Sequence, residues 1–405
     1  MEVDERRLTG KIMTLQSLDL YHVAVPLKKP IKHASHSRTS SDNLVVRVTL
    51  DDGQEGFGEG VPRPYVTGES IETTFQAISQ FDFARQLGRP TSYAEVVRQL
   101  EQLTLPDTAA DPRGMNGNAA RCAVELAILD AYGRRFGHSF SDAIHLLNLP
   151  GLPRHASPAR VRYSGAITAE TPSQEWRSAW KMKLYGFAQV KLKVGVSGQD
   201  DPARLERIRS ILGRNVDIRL DANEAWPHEE LADRVRPLLP FAPSALEQPV
   251  AHANVGRLAE IRPQLGVPIM LDESLCGIPD AIQAIDRGTA DILNVRLSKC
   301  GGLVPSLRIM ELAHQHGLGV QLGCHPGETG LLSAAGRHVA SSVGEIRYVE
   351  GSYDRHVLTR NLINESITFR YGGWANPLTG PGLGVTVNPQ ALKAMTIAHK
   401  EIRYG

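Results

Sequence analysis

The segments VKLKVG at 190–195, IRLDAN at 218–223, SALEQP at 244–249, PIMLDES at 268–274 and ILNVRLSKCGG at 292–302 decide how this chain is read. Each is a short apolar run ending on charge: Lys191 and Lys193, then Asp221, Glu247, Asp272 and Lys299. From Lys193 onward the steps are 28, 26, 25 and 27 residues. A strand, a turn, a helix and a second turn use about that many residues, so the spacing predicts consecutive βα units. In a closed parallel barrel the C-terminal strand ends converge on one face, where active sites are built. Three carboxylates and their flanking lysines would then share one pocket.

Outward from this core, candidate strands are VRYSGAI, VKLKVG, VDIRLDA, SALEQP, PIMLDE, ILNVRLS, GVQLGC and IRYVEG, with helical patterns such as DPARLERIRSIL between them. Eight strands and intervening helices predict an α/β fold closed as a parallel barrel over 155–357; an open doubly wound sheet is the alternative. Upstream, DNLVVRVTL runs into the hairpin signal Asp52-Gly53 and then GFGEG, and from Ser70 the pattern turns helical. NAARCAVELAILDAYGRRFG at 118–137 is the clearest helix, with Gly137 as its stop. Residues 1–150 thus read as an α+β domain, with the boundary in the Pro-rich NLPGLPRHASP. The tail, 358–405, is expected to pack back on that first domain.

Bulk properties narrow the function. The chain has 405 residues, enough for two domains, with 41% hydrophobic and 22% charged residues. A formal charge of +1 gives no general attraction to nucleic acid or an anionic membrane. No apolar run approaches the length of a membrane span, and MEVDERRLTGK at the start lacks a signal-peptide core. Four scattered cysteines form no CxxC pair, in keeping with a reducing cytoplasm.

Lys191 and Lys193 alternate with Val190, Leu192 and Val194, so both lysines point to one face of their strand. Central parallel strands are normally apolar on both faces, and two ammonium groups there require counter-charge. Taken singly, Lys191 and Lys193 could lie on a solvated edge, and Asp221, Glu247 or Asp272 could cap a helix or pair with an arginine. Recurring in step they make a different case. Three carboxylates crowded together repel, and a divalent cation resolves the conflict. All-oxygen ligation with room for substrate and water favours Mg²⁺, whereas zinc would recruit His or Cys.

KxK, DAN, EQP, DES and KxGG at these intervals resemble the enolase superfamily, specifically its muconate-lactonizing-enzyme subgroup. DDGQEGFGEG, PYVTGES and AVELAILDA at 123–131 are similar to the capping domain of that family. The resemblance implies a modified (β/α)₇β barrel closed by an N-terminal α+β cap. It implies Asp221, Glu247 and Asp272 as Mg²⁺ ligands, Lys193 and Lys299 as acid/base groups on opposite faces of a substrate, and Lys191 tuning Lys193. A Lys base with Mg²⁺ is the familiar chemistry of this superfamily. An unperturbed lysine, at about 10.4, is a poor base at neutral pH, and a neighbouring ammonium and a metal would both disfavour its charged form.

The same comparison marks substrate contacts. Arg38 in HASHSR and Tyr65 in PRPYVTG fall in loops like the two that close over the substrate; Asn223, Glu328 and Asp354 are further candidates. Arg296 stands where relatives often carry lysine. His325 occupies the place of the mandelate-racemase base, but Lys299 stands where that base would need an Asp partner. EGSYDR at 350–355 lacks the paired acids with which dipeptide epimerases hold a substrate ammonium. The implied function is an isomerase removing the α-proton of a small carboxylate by racemisation, epimerisation or cycloisomerisation. An o-succinylbenzoate-synthase-like lyase uses the same lysines, an acid-sugar dehydratase would need the His–Asp pair, and a binding scaffold would have lost its ligands. A homo-oligomer is left open.

Overall fold

The computed structural model describes residues 14–32, 37–105, 117–168 and 171–404. Up to Gly60 the described residues form the hairpin strands β1 (Leu15–Lys32), β2 (Ser37–Leu50) and β3 (Glu55–Gly60), joined by antiparallel pairing. Helices Ile71–Ser79, Phe83–Leu87, Tyr93–Glu101, Asn118–Phe136 and Phe140–Leu146 follow. Strand β3 and helix Asn118–Phe136 meet backbone to backbone. A Cβ on Gly58 would lie 2.0 Å from the Ala123 carbonyl oxygen, and one on Gly60 2.1 Å from that of Ala119. The GFGEG glycines are therefore a groove for the Ala119–Ala123–Ala127–Ala131 face of the helix.

A two-residue strand, β4 (Val161–Arg162), precedes the barrel strands β5 (Gly165–Ile167), β6 (Gln189–Lys193), β7 (Asp217–Asp221), β8 (Leu246–Glu247), β9 (Ile269–Leu271), β10 (Ile292–Val295), β11 (Gly319–Leu322) and β12 (Ile346–Val349). The last eight are parallel and neighbour one another in sequence order. The Ser164 amide donates to the Val349 carbonyl at 2.8 Å, joining the segment before β5 to β12. Side chains also cross the interior: the Tyr348 hydroxyl on β12 donates to Ser244 Oγ, just before β8, at 2.8 Å. Helical segments fill all seven connections between the eight strands, from Pro172–Leu184 to Gly330–Ser342. This is the (β/α)₇β arrangement.

VRYSGAI was expected as one strand and is two. Tyr163 donates its amide to Gly373 while Ser164 donates to Val349, so adjacent residues serve different partners and the chain turns between them. Val161–Arg162 pairs instead with β13 (Trp374–Ala375). The chain then returns to its start: β14 (Thr396–Arg403) pairs antiparallel with β1, completing the sheet order β14-β1-β2-β3. No helix among the described residues is long and apolar enough to cross a membrane.

Candidate active site

Strand register assembles the site. Lys193 on β6 is the Cα partner of Asp221 on β7, and Asp221 that of Glu247 on β8. The three form a row at the C-terminal strand ends. Asp272 follows directly on β9, and Lys299 lies in the turn after β10. Lys191, one pleat below Lys193, is the partner of Arg219.

Alternation places Lys191 and Lys193 on one face, between the buried Val190, Leu192 and Val194, but their surroundings differ. Lys191 Nζ lies 3.0 Å from Glu350, 3.2 Å from Asp221 and 3.6 Å from Glu247. Burial disfavours its charge, yet Glu247, Glu350 and Asp221 outweigh that and hold the ammonium well above the ordinary lysine value. The Lys193 ammonium makes no hydrogen bond or ion pair among the described residues, and the residue is half-buried. Lys299 is only 1% exposed. Its Nζ donates to Asp272 Oδ1 at 2.8 Å, the Asp272 carbonyl at 2.5 Å and the Asn294 carbonyl at 3.0 Å.

Each acid has its own environment. Burial raises Glu247 well above the usual carboxylate range; Lys191 opposes this, while Asp221, Asp272 and Glu350 add repulsion. Its Oε1 accepts from Asn294 Nδ2 at 2.8 Å, and its Oε2, 3.6 Å from Lys191 Nζ, is buried without a hydrogen bond. Asp221 is likewise raised by burial, against the pull of Lys191, with Glu273, Asp272 and Glu350 adding repulsion. Asp272 goes the other way: burial would raise it, but Arg296, which pairs with Oδ2, and Lys299 depress it below the carboxylate range.

Among the described residues these acids do not form a ready cage of three or more metal-binding side chains; Lys191 bridges Asp221 and Glu247, and Arg296 bridges Glu247 and Asp272. The donor set still fits a hard divalent cation. It consists of mutually repelling carboxylates, and one of them has a buried oxygen that accepts no hydrogen bond. Nothing in it favours zinc over an oxygen-seeking ion.

Other candidates fall into groups. Arg38 Nη1 donates to the Tyr65 hydroxyl at 3.3 Å and Nη2 to the Pro326 carbonyl at 2.8 Å, so the cap reaches the loop after β11. Residues 33–36 of the HASHSR loop lie outside the described residues. Asn223, at φ 43°, donates its side chain to Glu273 at 3.1 Å and its amide to Asp221 at 3.1 Å. His325 and Glu328 line a cavity of about 10 Å³ with Cys324 and Arg296, room for about one water. Glu328 accepts from the His325 amide and from Ser333, and burial raises it to about 8. Burial, helped by Arg296, Arg63 and Lys299, pushes the His325 imidazole well below its ordinary value. Asp354 sits apart, its two oxygens taken by Asn361 at 2.9 Å and Thr368 at 2.6 Å.

Two residues here, Arg219 and Asn294, stand outside those expected from sequence, whereas Glu350 is the first acid of EGSYDR, already weighed there. Arg219 is fully buried and pairs with Glu350, which also holds Lys191; Asn294 links Glu247 to Lys299. Arg219 stands two residues before Asp221 and faces the same way, so strand alternation could have found it.

A capped parallel barrel whose strand ends gather acids and lysines defines a class of enzyme, and comparison with known proteins agrees. Residues 16–144 match the mandelate racemase/muconate lactonizing enzyme N-terminal domain, and 175–391 match the enolase C-terminal domain-like family. The chain belongs to the enolase superfamily, within its mandelate racemase/muconate lactonizing enzyme family. It is 26% identical to an N-succinyl-L-Arg/Lys racemase of Bacillus cereus, over 96% of this chain and all of that one. The crystal structure of that racemase superimposes with a TM-score of 0.82 at 25% identity, over the same shares. Muconate cycloisomerase 1 of Rhodococcus opacus is 28% identical over 95% of this chain and 99% of its own. A dipeptide epimerase of Cytophaga hutchinsonii, solved with Mg and D-Ala-L-Val, gives a TM-score of 0.80 at 25% identity over 96% of this chain and all of its own.

Proposed function

We propose that this protein is a Mg²⁺-dependent isomerase that removes the α-proton of a small carboxylate, with Asp221, Glu247 and Asp272 holding the metal and Lys193 and Lys299 exchanging the proton. The observation that carries the reading is the row Lys193–Asp221–Glu247 at adjacent strand ends, with Asp272 bonded to Lys299 beside it. When bound, Mg²⁺ supplies fixed positive charge for the negative charge that grows on the substrate carboxylate.

In this reading one lysine, as the free amine, takes the α-proton, and the electron pair left behind delocalises onto the carboxylate oxygens. The other lysine, as ammonium, returns a proton to the opposite face and inverts the centre. Lys191, held charged by three acids, keeps a positive charge one pleat from Lys193. Positioned acid/base groups contribute about 10²–10⁴-fold.

The substrate is best read as one without a free ammonium beside its carboxylate. Glu350 is committed to Lys191 and Arg219, and Asp354 to Asn361 and Thr368, so the eighth strand end offers no spare acid. An N-acylated amino acid meets that condition, and the racemase named above acts on N-succinylated ones. Arg38 with Tyr65 is the cap's candidate contact. A cytoplasmic setting accords with the scattered cysteines, Cys122, Cys276, Cys300 and Cys324, none of them in a CxxC pair.

The test is proton NMR in D₂O with Mg²⁺, using N-succinyl-arginine and N-succinyl-lysine, dipeptides, cis,cis-muconate and the o-succinylbenzoate precursor. Loss of the α-proton signal from an N-succinylated amino acid, followed by its enantiomer, is the expected result. Dehydration of the o-succinylbenzoate precursor alone would move the protein to the lyases. No exchange and no product anywhere in the panel would overturn the proposal.

A further inference from the structure

Helix Asn118–Phe136 belongs to the cap, yet its first two turns grip the turn that carries Lys299. Asn118 Nδ2 donates to two carbonyls at once, that of Lys299 at 2.7 Å and that of Cys276 at 2.7 Å. The first closes the turn after β10; the second lies in the loop that leaves β9 through Asp272. One side-chain amide thus ties together the two segments whose side chains meet in the Lys299–Asp272 pair.

The same helix face adds two more holds. Arg121 donates to the Gly301 carbonyl and to Glu125, and Glu125 Oε1 accepts from the Val304 amide at 2.8 Å. Asn118, Arg121 and Glu125 sit three and four residues apart, on one stripe of the helix. Gly301 and Gly302 adopt φ of 91° and 108°, so the turn presses flat on this stripe; a Cβ on Gly302 would come 2.6 Å from Glu125 Oε2. Just after β3, the Val61 amide donates to Ser298 Oγ at 2.7 Å. By contrast, among the described residues no hydrogen bond joins this helix to the β6 segment that carries Lys191 and Lys193.

We propose that Asn118 is a positioning residue through which the cap sets the place of Lys299, independently of Lys193. The inference rests on the reading of Lys299 as one of two acid/base groups. Its consequence is asymmetric. Loosening Asn118 displaces one lysine and not the other, so it impairs proton transfer at one face of the substrate only. A loss of fold or of cap closure would impair both faces together.

Asn118→Asp tests this, because it keeps the shape and removes both N–H donors; Asn118→Ala is the second variant. With N-succinyl-L-arginine and N-succinyl-D-arginine in D₂O and Mg²⁺, solvent deuterium incorporation is followed from each enantiomer separately. Lys299→Ala first identifies the enantiomer whose proton Lys299 handles. Both Asn118 variants should slow that enantiomer by about tenfold or more in kcat, as expected for a misplaced reacting group, and leave the other within about twofold. Independently of any substrate, amide hydrogen exchange read by mass spectrometry should rise in 272–276 and 296–304 and stay unchanged in 190–195.

Equal slowing of both enantiomers, or unchanged amide exchange in 296–304, would overturn the positioning role. Undiminished exchange of both enantiomers by Lys299→Ala would instead overturn the assignment of Lys299 itself, whatever the Asn118 variants do.

Discussion

Lys191 and Arg219 are adjacent cations inside a barrel, and a single carboxylate answers both. Glu350 pairs with each of them, while Arg219 is 0% exposed and stacks its guanidinium over the Tyr348 ring at 4.8 Å. Burial would raise Glu350, but Lys191, Arg219 and Arg296 bring it down to about 2. Removing this acid strands a buried charge, a change that costs about 3–5 kcal/mol. Glu350→Gln should therefore lower the urea midpoint by far more than a surface Glu→Gln such as Glu229→Gln, at neutral pH. A shift no larger than that of Glu229→Gln would show that solvent, not Glu350, compensates Arg219. Lys193→Ala acts differently: with no partner to strand, it should leave the unfolding free energy within about 0.5 kcal/mol while α-proton exchange falls at least about 10²-fold. Retained exchange would remove Lys193 from the reaction. At this scale the sequence was readable where charge ended an apolar run. It was opaque for Asn294 and Asn118, because a neutral amide carries no signal of what it will bond.

Elements were legible in proportion to their regularity. The barrel strands could be read from charge spaced at βα intervals, and the helix at 118–137 from its small-residue periodicity and terminal glycine. The first barrel strand was not, since its division follows from two amides choosing remote carbonyls, Gly373 and Val349, which local pattern cannot express. The glycines of β3 were visible, but not their purpose. A β-strand normally gains from side chains that pack on its face; β3 gains by having none, because the helix backbone lies where Cβ atoms would be. Gly58→Ala would place a methyl carbon 2.0 Å from the Ala123 carbonyl oxygen, and neither backbone can yield without moving the other. The expected cost is about 1–3 kcal/mol or more, measured as the urea midpoint. Gly53→Ala on the hairpin turn, where nothing lies within 4 Å but φ is 84°, separates backbone strain from collision and should cost less. Equal costs would mean that the helix, not the strand, gives way.

Across the whole molecule the chain closes on itself three times, through β14 on β1, β13 on β4 and a buried histidine that joins three distant parts. His338 lies on the last barrel helix, Gly330–Ser342; it bonds Ser141 of a cap helix at 2.8 Å and the Leu383 carbonyl in the tail at 3.1 Å. Burial lowers its pKa from 6.5 to about 4, against the pull of the Leu383 carbonyl and Asp142 and with the push of Arg337. The native state thus holds this imidazole neutral where the unfolded chain would protonate it. Between pH 6.5 and 4 the unfolded state binds the extra proton, so stability falls as pH falls through that window and is fully present above 6.5. The shift corresponds to roughly 3 kcal/mol at full development. Urea unfolding from pH 7.5 to 4 should show this slope in the wild-type chain and a shallower one in His338→Gln, which keeps polar contacts without a titrating ring. Because the junction binds cap, barrel and tail together, the loss should appear in one transition rather than as early release of the cap. Parallel pH profiles for the two proteins would show that His338 does not couple protonation to the assembly of these three parts.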